Sequence, residues 1–250
     1  MRTRSENEIA LRDQDAMDYD DWYLERGINA VWAEDETIIR SLSFSSTEKQ
    51  SFLDFGSGTG RLTARIQRQF PSLDVHALDI SPKSLDALNN KGLSITTNVL
   101  DASKDSISYL NLPKFDRILS MQMIQHLEKD GAVHAIKEIY DSLKEDGIAV
   151  IELYNFGGLN RVIERIRARG GIKKVQQQGL FFEYRFSADE FKKFVTNHSR
   201  FKDVSIYGCQ NINRRLINRF GSLLSLDLKL STIGCSKYLG YYFIAVLKKS

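Results

Sequence analysis

Residues 52–61 read FLDFGSGTGR. A short apolar run, 52–55, meets a turn with glycines at 56, 58 and 60, and a helical pattern opens at once at Arg61. Residues 61–70 (RLTARIQRQF) place Leu62, Ile66 and Phe70 on one helical face, and Pro71 stops the helix. Glycines in such a turn let the backbone take left-handed torsion angles and approach a ligand closely. The first N–H groups of the helix behind it are free to meet that ligand. Strand, glycine turn and helix together predict the first unit of an α/β sheet, whose ligands lie beyond the carboxyl ends of the strands.

The alternation continues outward. Residues 73–79 (LDVHALD) read as a second strand, after which Ser81 caps a helix that starts at Pro82 and runs to about Asn90. Third and fourth strands follow at 93–100 and 115–121. A helix over 131–143 carries Val133, Ile136, Ile139, Tyr140 and Leu143 at helical spacing, and Asp146-Gly147 turns the chain into a fifth strand, 148–154. Alternation of this kind predicts right-handed βαβ units and a doubly wound parallel sheet between helical layers. Past residue 155 the rhythm breaks. A glycine-bearing insertion at about 156–186 includes a basic helical run. Then come a helix over 187–197, with Ser187 and Glu190 spaced as a capping box, and strands at 201–208 and 238–248 separated by a helical stretch near 212–230. Ahead of the sheet, residues 6–43 read as one or two amphipathic helices carrying aromatics. The organisation expected is an N-terminal helical lid, 1–46, and one domain, 47–250.

Composition excludes several classes. The chain has 250 residues, 42% hydrophobic and 27% charged, which suits a globular α/β domain. Two cysteines, Cys209 and Cys235, are too few for a disulfide framework or a cysteine-rich metal site, and point to a reduced, cytoplasmic setting. A net charge of +3 is far from that of a nucleic-acid-coating protein. The opening MRTRSENEIALRDQDAMDYDD lacks the apolar core of a secretory signal, and no window is apolar enough to span a bilayer.

The glycine spacing then narrows the ligand. A dinucleotide fingerprint is G-x-G-x-x-G, whereas here the glycines fall at 56, 58 and 60 and position 61 is Arg. The strand also ends in Asp54, two residues before the first glycine. A carboxylate there would repel a pyrophosphate but suits a cation, and S-adenosylmethionine (SAM) carries a sulfonium and an ammonium with no phosphate. D-F-G-S-G-T-G (54–60) resembles motif I of the class I SAM-dependent methyltransferases, and three further stations agree. Asp79 in ALDIS stands where that family binds both ribose hydroxyls. Asp101 in NVLDAS stands where it contacts the adenine amine. FDRILSMQMIQHL (115–127) is similar to the fourth-strand segment whose loop lines the transfer site.

The resemblance covers about residues 50–155 firmly and is broadest with the small-molecule group that includes the ubiquinone and menaquinone biosynthesis enzymes. It implies a seven-stranded, mostly parallel sheet in the order 3-2-1-4-5-7-6, with SAM as cofactor and S-adenosylhomocysteine as product. The implied cofactor contacts are Asp54, Gly56, Ser57, Gly58, Thr59, Gly60, Arg61, Asp79, Ile80, Asp101, Ala102, Met121 and Gln122, with Tyr19 and Trp22 from the lid. Taken singly, the acids have plainer readings: Asp54 as an acceptor for loop N–H groups, Asp79 and Asp101 as caps.

For the acceptor the sequence speaks mostly in negatives. Ser120-Met121-Gln122-Met123 is not the Asp/Asn-Pro-Pro-aromatic motif of amino-methylating nucleic-acid enzymes. Neither cysteine lies where a covalent route to a pyrimidine carbon would need it, and no acidic cluster suggests a metal. His126, after the fourth strand, is the general-base candidate, with packing or capping as the plainer reading. Tyr23, Gln125 and Tyr154 are candidate substrate contacts; loop hydrogen bonding is the plainer reading of Gln125 and Tyr154, and packing of an amphipathic helix on the sheet edge that of Tyr23.

Residues 159–174 carry six positive charges and one negative along an apolar stripe, and 212–230 has a similar character. Together they suggest an anionic or lipid-linked small-molecule acceptor, or a peripheral membrane contact. Two rivals stand beside this reading: an RNA methyltransferase using the basic helix, and a protein of this fold that binds SAM or a partner without turnover.

Overall fold

The computed structural model describes residues 4–16, 20, 21, 25, 27–159, 174–177 and 181–250. Seven strands form the main sheet: β1 (Ser51–Phe55), β2 (Asp74–Asp79), β3 (Ile95–Val99), β4 (Phe115–Met121), β5 (Leu143–Tyr154), β8 (Asp203–Cys209) and β9 (Tyr242–Lys248). Their order is β3-β2-β1-β4-β5-β9-β8. Counted by the sheet's own strands this is 3-2-1-4-5-7-6, the order expected. The five strands β1 to β5 run parallel, while β9 is antiparallel to both β5 and β8. β8 therefore points the same way as β5, and its carboxyl end joins the edge formed by the carboxyl ends of β1 to β5.

Every residue of β1 is buried, as a parallel strand covered on both faces requires. Its side chains alternate between the two layers. Leu53 and Phe55 join Phe115, Ile118, Ile136, Phe191 and Phe243 on one face. Phe52 joins Leu119, Val150, Ile38, Leu42 and Ile66 on the other. Helices α5 (Lys129–Ser142) and α6 (Ala188–His198) supply the first layer, and α2 (Ile28–Leu42) and α3 (Arg61–Gln69) the second. α1 (Arg4–Asp15) lies against α4 (Pro82–Asn89).

Some expected boundaries move. β5 begins at Leu143, opposite Phe115, and a register shift before Arg117 absorbs the left-handed Asp146 at φ 61°. The turn expected at Asp146-Gly147 is thus an irregularity inside a longer strand. In the insertion, β6 (Lys174–Gln177) and β7 (Phe181–Tyr184) form an antiparallel hairpin. It is tied to α6 by an aromatic cluster: Phe186 lies 4.4 Å from Tyr184 and 5.3 Å from Phe191. The stretch after β8 resolves into α7 (Arg214–Arg219) and α8 (Leu223–Leu230). Tyr19, Trp22, Tyr23 and residues 160–173 of the basic helix lie outside the described residues. Among the described residues no helix is long and apolar enough to cross a membrane.

The capping box at α6 is present in full: the Ser187 hydroxyl accepts from the Glu190 N–H, and the Glu190 carboxylate accepts from the Ser187 N–H at 3.1 Å. Ser187→Ala should destabilise the fold by about 1 kcal/mol, lowering Tm by about 2–4 °C in a chain of this size. Thermal melting followed by circular dichroism checks this, and an unchanged Tm would show that the cap contributes nothing.

Candidate functional site

The turn after β1 is shaped by one carbonyl group and one carboxylate. Gly56 N–H and Ser57 N–H both donate to the Leu78 carbonyl at the end of β2, at 2.8 and 3.0 Å. Gly58 N–H donates to Asp79 Oδ2 at 2.8 Å, and Ser81 N–H to Asp79 Oδ1 at 2.9 Å. Gly56, Gly58 and Gly60 all have positive φ. At Gly60 a Cβ would meet the Leu88 side chain at 2.3 Å, so this glycine lets α3 pack on α4. At Gly58 a Cβ would meet nothing within 4 Å and would stand in open space, and this glycine lines a cavity.

That cavity, about 210 Å³, runs along the carboxyl ends of β1, β2 and β4. Of the residues predicted to hold a cofactor, Gly56, Gly58, Thr59, Asp79, Ile80, Asp101, Ala102, Met121 and Gln122 line it. His126 and Tyr154, predicted for the acceptor, line it too. Phe55, Leu78, Leu100 and Leu127 complete apolar walls. A smaller hollow of about 60 Å³ adjoins it at the glycine turn, lined by Asp54, Ser57, Arg61 and Leu62, with Gly56, Gly58, Thr59, Met121 and Gln122 shared between the two. Gly60 lines neither. Gln125 stands behind the wall: it is buried, and its Oε1 accepts from Tyr154 N–H at 3.0 Å. The His126 Nε2 lies 3.4 Å from the Gln125 amide, in a 3₁₀ turn that precedes α5 rather than in the helix itself. Arg61 points away from the main cavity and forms a bidentate pair with Asp35 of α2, both contacts at 2.7 Å.

Three carboxylates set the electrostatics. Asp54 is buried, takes a short hydrogen bond from the Thr63 hydroxyl on Oδ2, and leaves Oδ1 without a hydrogen-bond partner among the described residues. Burial pushes its carboxyl up to about 7, against the Thr63 bond; nearby Asp79 adds to the rise and Arg61 opposes it. Asp79 faces the cavity, half-buried at the end of β2, and desolvation raises it despite its two backbone donors and the nearby Arg12. Asp101 behaves oppositely. Burial works upward, but hydrogen bonds from Ser103 and Ser5, with Lys104, outweigh it and hold the carboxyl below its ordinary value.

Sequence reasoning missed the polar residues that the N-terminal segment brings to the cavity. α1 places Glu8 and Arg12, paired at 2.9 Å, in the cavity wall. Ser5 donates to Asp101 Oδ2 at 2.5 Å, and the Ser81 hydroxyl donates to Asp13 Oδ1 at 2.6 Å. Nearer the glycines, Thr59 donates to Asp20 Oδ1 at 2.6 Å. The only sequence signal for this role was the helical pattern of the segment, since single Ser, Glu and Arg residues carry no spacing signature.

The arrangement suits a ligand with an apolar body, a pair of hydroxyls and positive charge. Asp79 spends one acceptor site on each oxygen and keeps others for a diol. The unpartnered oxygen of Asp54 needs a donor or a cation, since an unsatisfied buried carboxylate is costly. The open cradle at Gly58 admits close approach.

Comparisons with known proteins agree with the geometry. The family model described as a methyltransferase domain matches residues 52–147. The carboxy-S-adenosyl-L-methionine synthase of Nautilia profundicola is 28% identical over 102 residues, 41% of this chain and 43% of that protein. The matched stretch thus spans less than half of that relative. A SAM-dependent methyltransferase structure from Thermotoga maritima superposes with TM-score 0.64 at 14% identity, covering 97% of this chain and 99% of that one. A Haemonchus contortus phosphoethanolamine N-methyltransferase in complex with SAM gives TM-score 0.60 at 19% identity, covering 95% of this chain and 57% of that one. At such identities the structural likenesses establish the fold.

The two glycines make opposite predictions. Gly60→Ala should destabilise the protein by about 2–4 kcal/mol, combining left-handed strain with overpacking against Leu88. Gly58→Ala should destabilise by only about 1–2 kcal/mol, while filling the cradle and weakening SAM binding at least about tenfold. Chemical denaturation and calorimetric titration of both variants separate the effects; equal stability losses would refute the assignment.

Proposed function

We propose that this chain, which carries a methyltransferase domain over residues 52–147 within a class I SAM-dependent methyltransferase fold, binds SAM and transfers its methyl group to a small-molecule acceptor. The observation that supports this most is the Asp79 carboxylate, clasped by Gly58 N–H and Ser81 N–H and still facing the cavity with acceptor capacity to spare. When bound, SAM supplies an electrophilic methyl group; the chain's part is to hold it, exclude water and present the acceptor.

In this reading Asp79 takes the ribose diol and Asp101 the adenine amine. The glycine turn takes the methionine portion, with Asp54 beneath it as the counter-charge for the ammonium. Leu78, Ile80, Leu100 and Ala102 flank the adenine. The acceptor lies toward Met123, His126 and Tyr154, where the cavity continues past Met121. Catalysis rests chiefly on positioning, with His126 as the group within reach to take a proton from an O–H or N–H acceptor. The lid aromatics Tyr19 and Trp22, and Tyr23 on the acceptor side, belong to the same reading. The acceptor is anionic or lipid-linked, to match the basic segments 159–174 and 212–230. One observation favours a second reading: the 28% identity to a protein named carboxy-SAM synthase suggests chemistry on SAM itself.

Isothermal titration with SAM, S-adenosylhomocysteine and NAD tests the cofactor. Binding of the first two, and none of NAD, is expected. Asp79→Ala and Asp79→Asn should each raise the Kd for SAM at least about tenfold, the value of about one lost charge-assisted hydrogen bond; an unchanged Kd would overturn the assignment. Mass spectrometry after incubation with acceptor mixtures distinguishes methylated acceptor from carboxylated SAM.

A proton linkage follows from Asp54. Burial pushes its carboxyl up to about 7, and a bound cation favours the ionised form. SAM binding at about pH 6 should therefore release protons, and affinity should rise with pH up to about 7 and then level. Asp54→Asn should flatten that rise. A Kd independent of pH across this window in the wild type would sink the idea.

A further inference from the structure

The helices after β8 present a surface that the cofactor site does not use. α7 and α8 pack on α2 through Ile217 and Leu228, and both are buried. Their outer faces carry Leu216, Phe220 and Leu226, each about half-exposed. Asn218 donates no cover here: its Oδ1 accepts from Ala30 N–H at 3.1 Å, and Gly221 lies beside Asn29. That contact brings the N-terminus of α2 alongside, and Ile28, 71% exposed, extends the same apolar surface.

Its charge has one sign. Residues 212–230 hold Arg214, Arg215, Arg219 and Lys229 and a single acid, Asp227. The four cations are exposed. Asp227 is fully buried and turned inward, where its Oδ1 accepts from Ile212 N–H at 2.7 Å. The Arg219 guanidinium lies over the Phe220 ring at 5.3 Å, so the cationic and apolar elements are interleaved. The surface is made of two short helices, of six and eight residues.

Topology fixes where this surface sits. β8 runs parallel to β5, so the chain leaves its carboxyl end and enters α7 at the edge of the sheet that holds the cavity. α2 likewise starts there, since it runs down to the loop that feeds β1.

We propose that the α7–α8 surface, with Ile28, docks this protein on an anionic phospholipid bilayer and so turns the acceptor side of the cavity toward the membrane. Arginines meet the headgroup charge, while Leu216, Phe220 and Leu226 enter the headgroup–acyl boundary, the arrangement of interfacial amphipathic helices. Each cation near an anionic surface strengthens binding several-fold. The docking itself is independent of the methyltransferase reading, which it uses only in taking that edge as the acceptor side.

The test is co-sedimentation of the full chain with phosphatidylcholine vesicles, with and without roughly one third phosphatidylglycerol. Binding to the anionic vesicles alone, weakening as salt is raised, is the expected result. The combined variant Arg214→Glu, Arg215→Glu and Arg219→Glu should bind at least about tenfold more weakly. Leu216→Ser with Phe220→Ser should also bind more weakly while all charges are kept. SAM titration of each variant reports folding and the cofactor site, which these residues do not touch. Absence of vesicle binding by the wild type would overturn the proposal, as would equal binding to neutral vesicles or capture by RNA with none by vesicles. Loss of SAM binding in the wild type would instead strike the methyltransferase reading and leave the docking result standing.

Discussion

The Leu78 carbonyl, accepting at once from Gly56 and Ser57, is the constraint from which the site follows. It ties the turn after β1 to the end of β2, and the neighbouring Asp79 completes the clasp through Gly58. Both strands must finish in step for this to happen, and the parallel pairing of Phe55 with Leu78 ensures it. The turn can close that tightly because left-handed backbone is available at three successive glycines. Once closed, it leaves no choice about where α3 begins, and the helix N-terminus, the Asp79 carboxylate and the cradle at Gly58 face one volume.

Within that volume the carboxylates are held in different states. Asp54 and Asp79 are raised by burial, so the site resists carrying its full negative charge. Asp101 is held ionised by hydroxyl, amide and ammonium donors. A ligand bringing positive charge to Asp54 relieves an existing electrostatic penalty, which gives selectivity for a cation over a phosphate without any dedicated cationic clamp. The Arg12 guanidinium in the wall does not reverse this, because Glu8 accompanies it.

The sheet was legible because hydrophobic period and punctuation agreed from residue 52 to 155. Ser81-Pro82, Pro71 and the glycine turn marked helix ends that the fold keeps. The irregular start of β5 was not legible: Asp146-Gly147 has the composition of a free turn, and only the pairing of Leu143 with Phe115 converts it into a bulged strand. The β6–β7 hairpin was missed because its segment follows a basic helical run, and its strands are fixed by long-range aromatic contacts to α6. In the site, residues on the strand ends could be read from position alone. Arg61 could not, since its bond to Asp35 depends on how α2 crosses α3. Gln125 could not either, because only the fold shows its amide turned back onto β5.

In the reading proposed above, the N-terminal helix and the cofactor compete for one acceptor, Asp101. A carboxylate offers about four lone-pair sites. Those of Asp101 are taken: Ser103 N–H and hydroxyl at Oδ1, the Ser5 hydroxyl and the Lys104 ammonium at Oδ2. Asp79, by contrast, has used only one on each oxygen. A ligand can therefore add hydrogen bonds at Asp79 with nothing displaced, but a donor reaching Asp101 must dislodge an occupant. Ser103 is fixed by the turn that Asp101 itself caps, which leaves exposed Lys104 and Ser5 of α1. If Ser5 yields, α1 loses one of its polar ties to the sheet and keeps the one from Ser81 to Asp13. Occupancy at the far end of the cavity and the position of the lid helix are then linked, and by reciprocity whatever holds α1 in place also alters ligand affinity at Asp101.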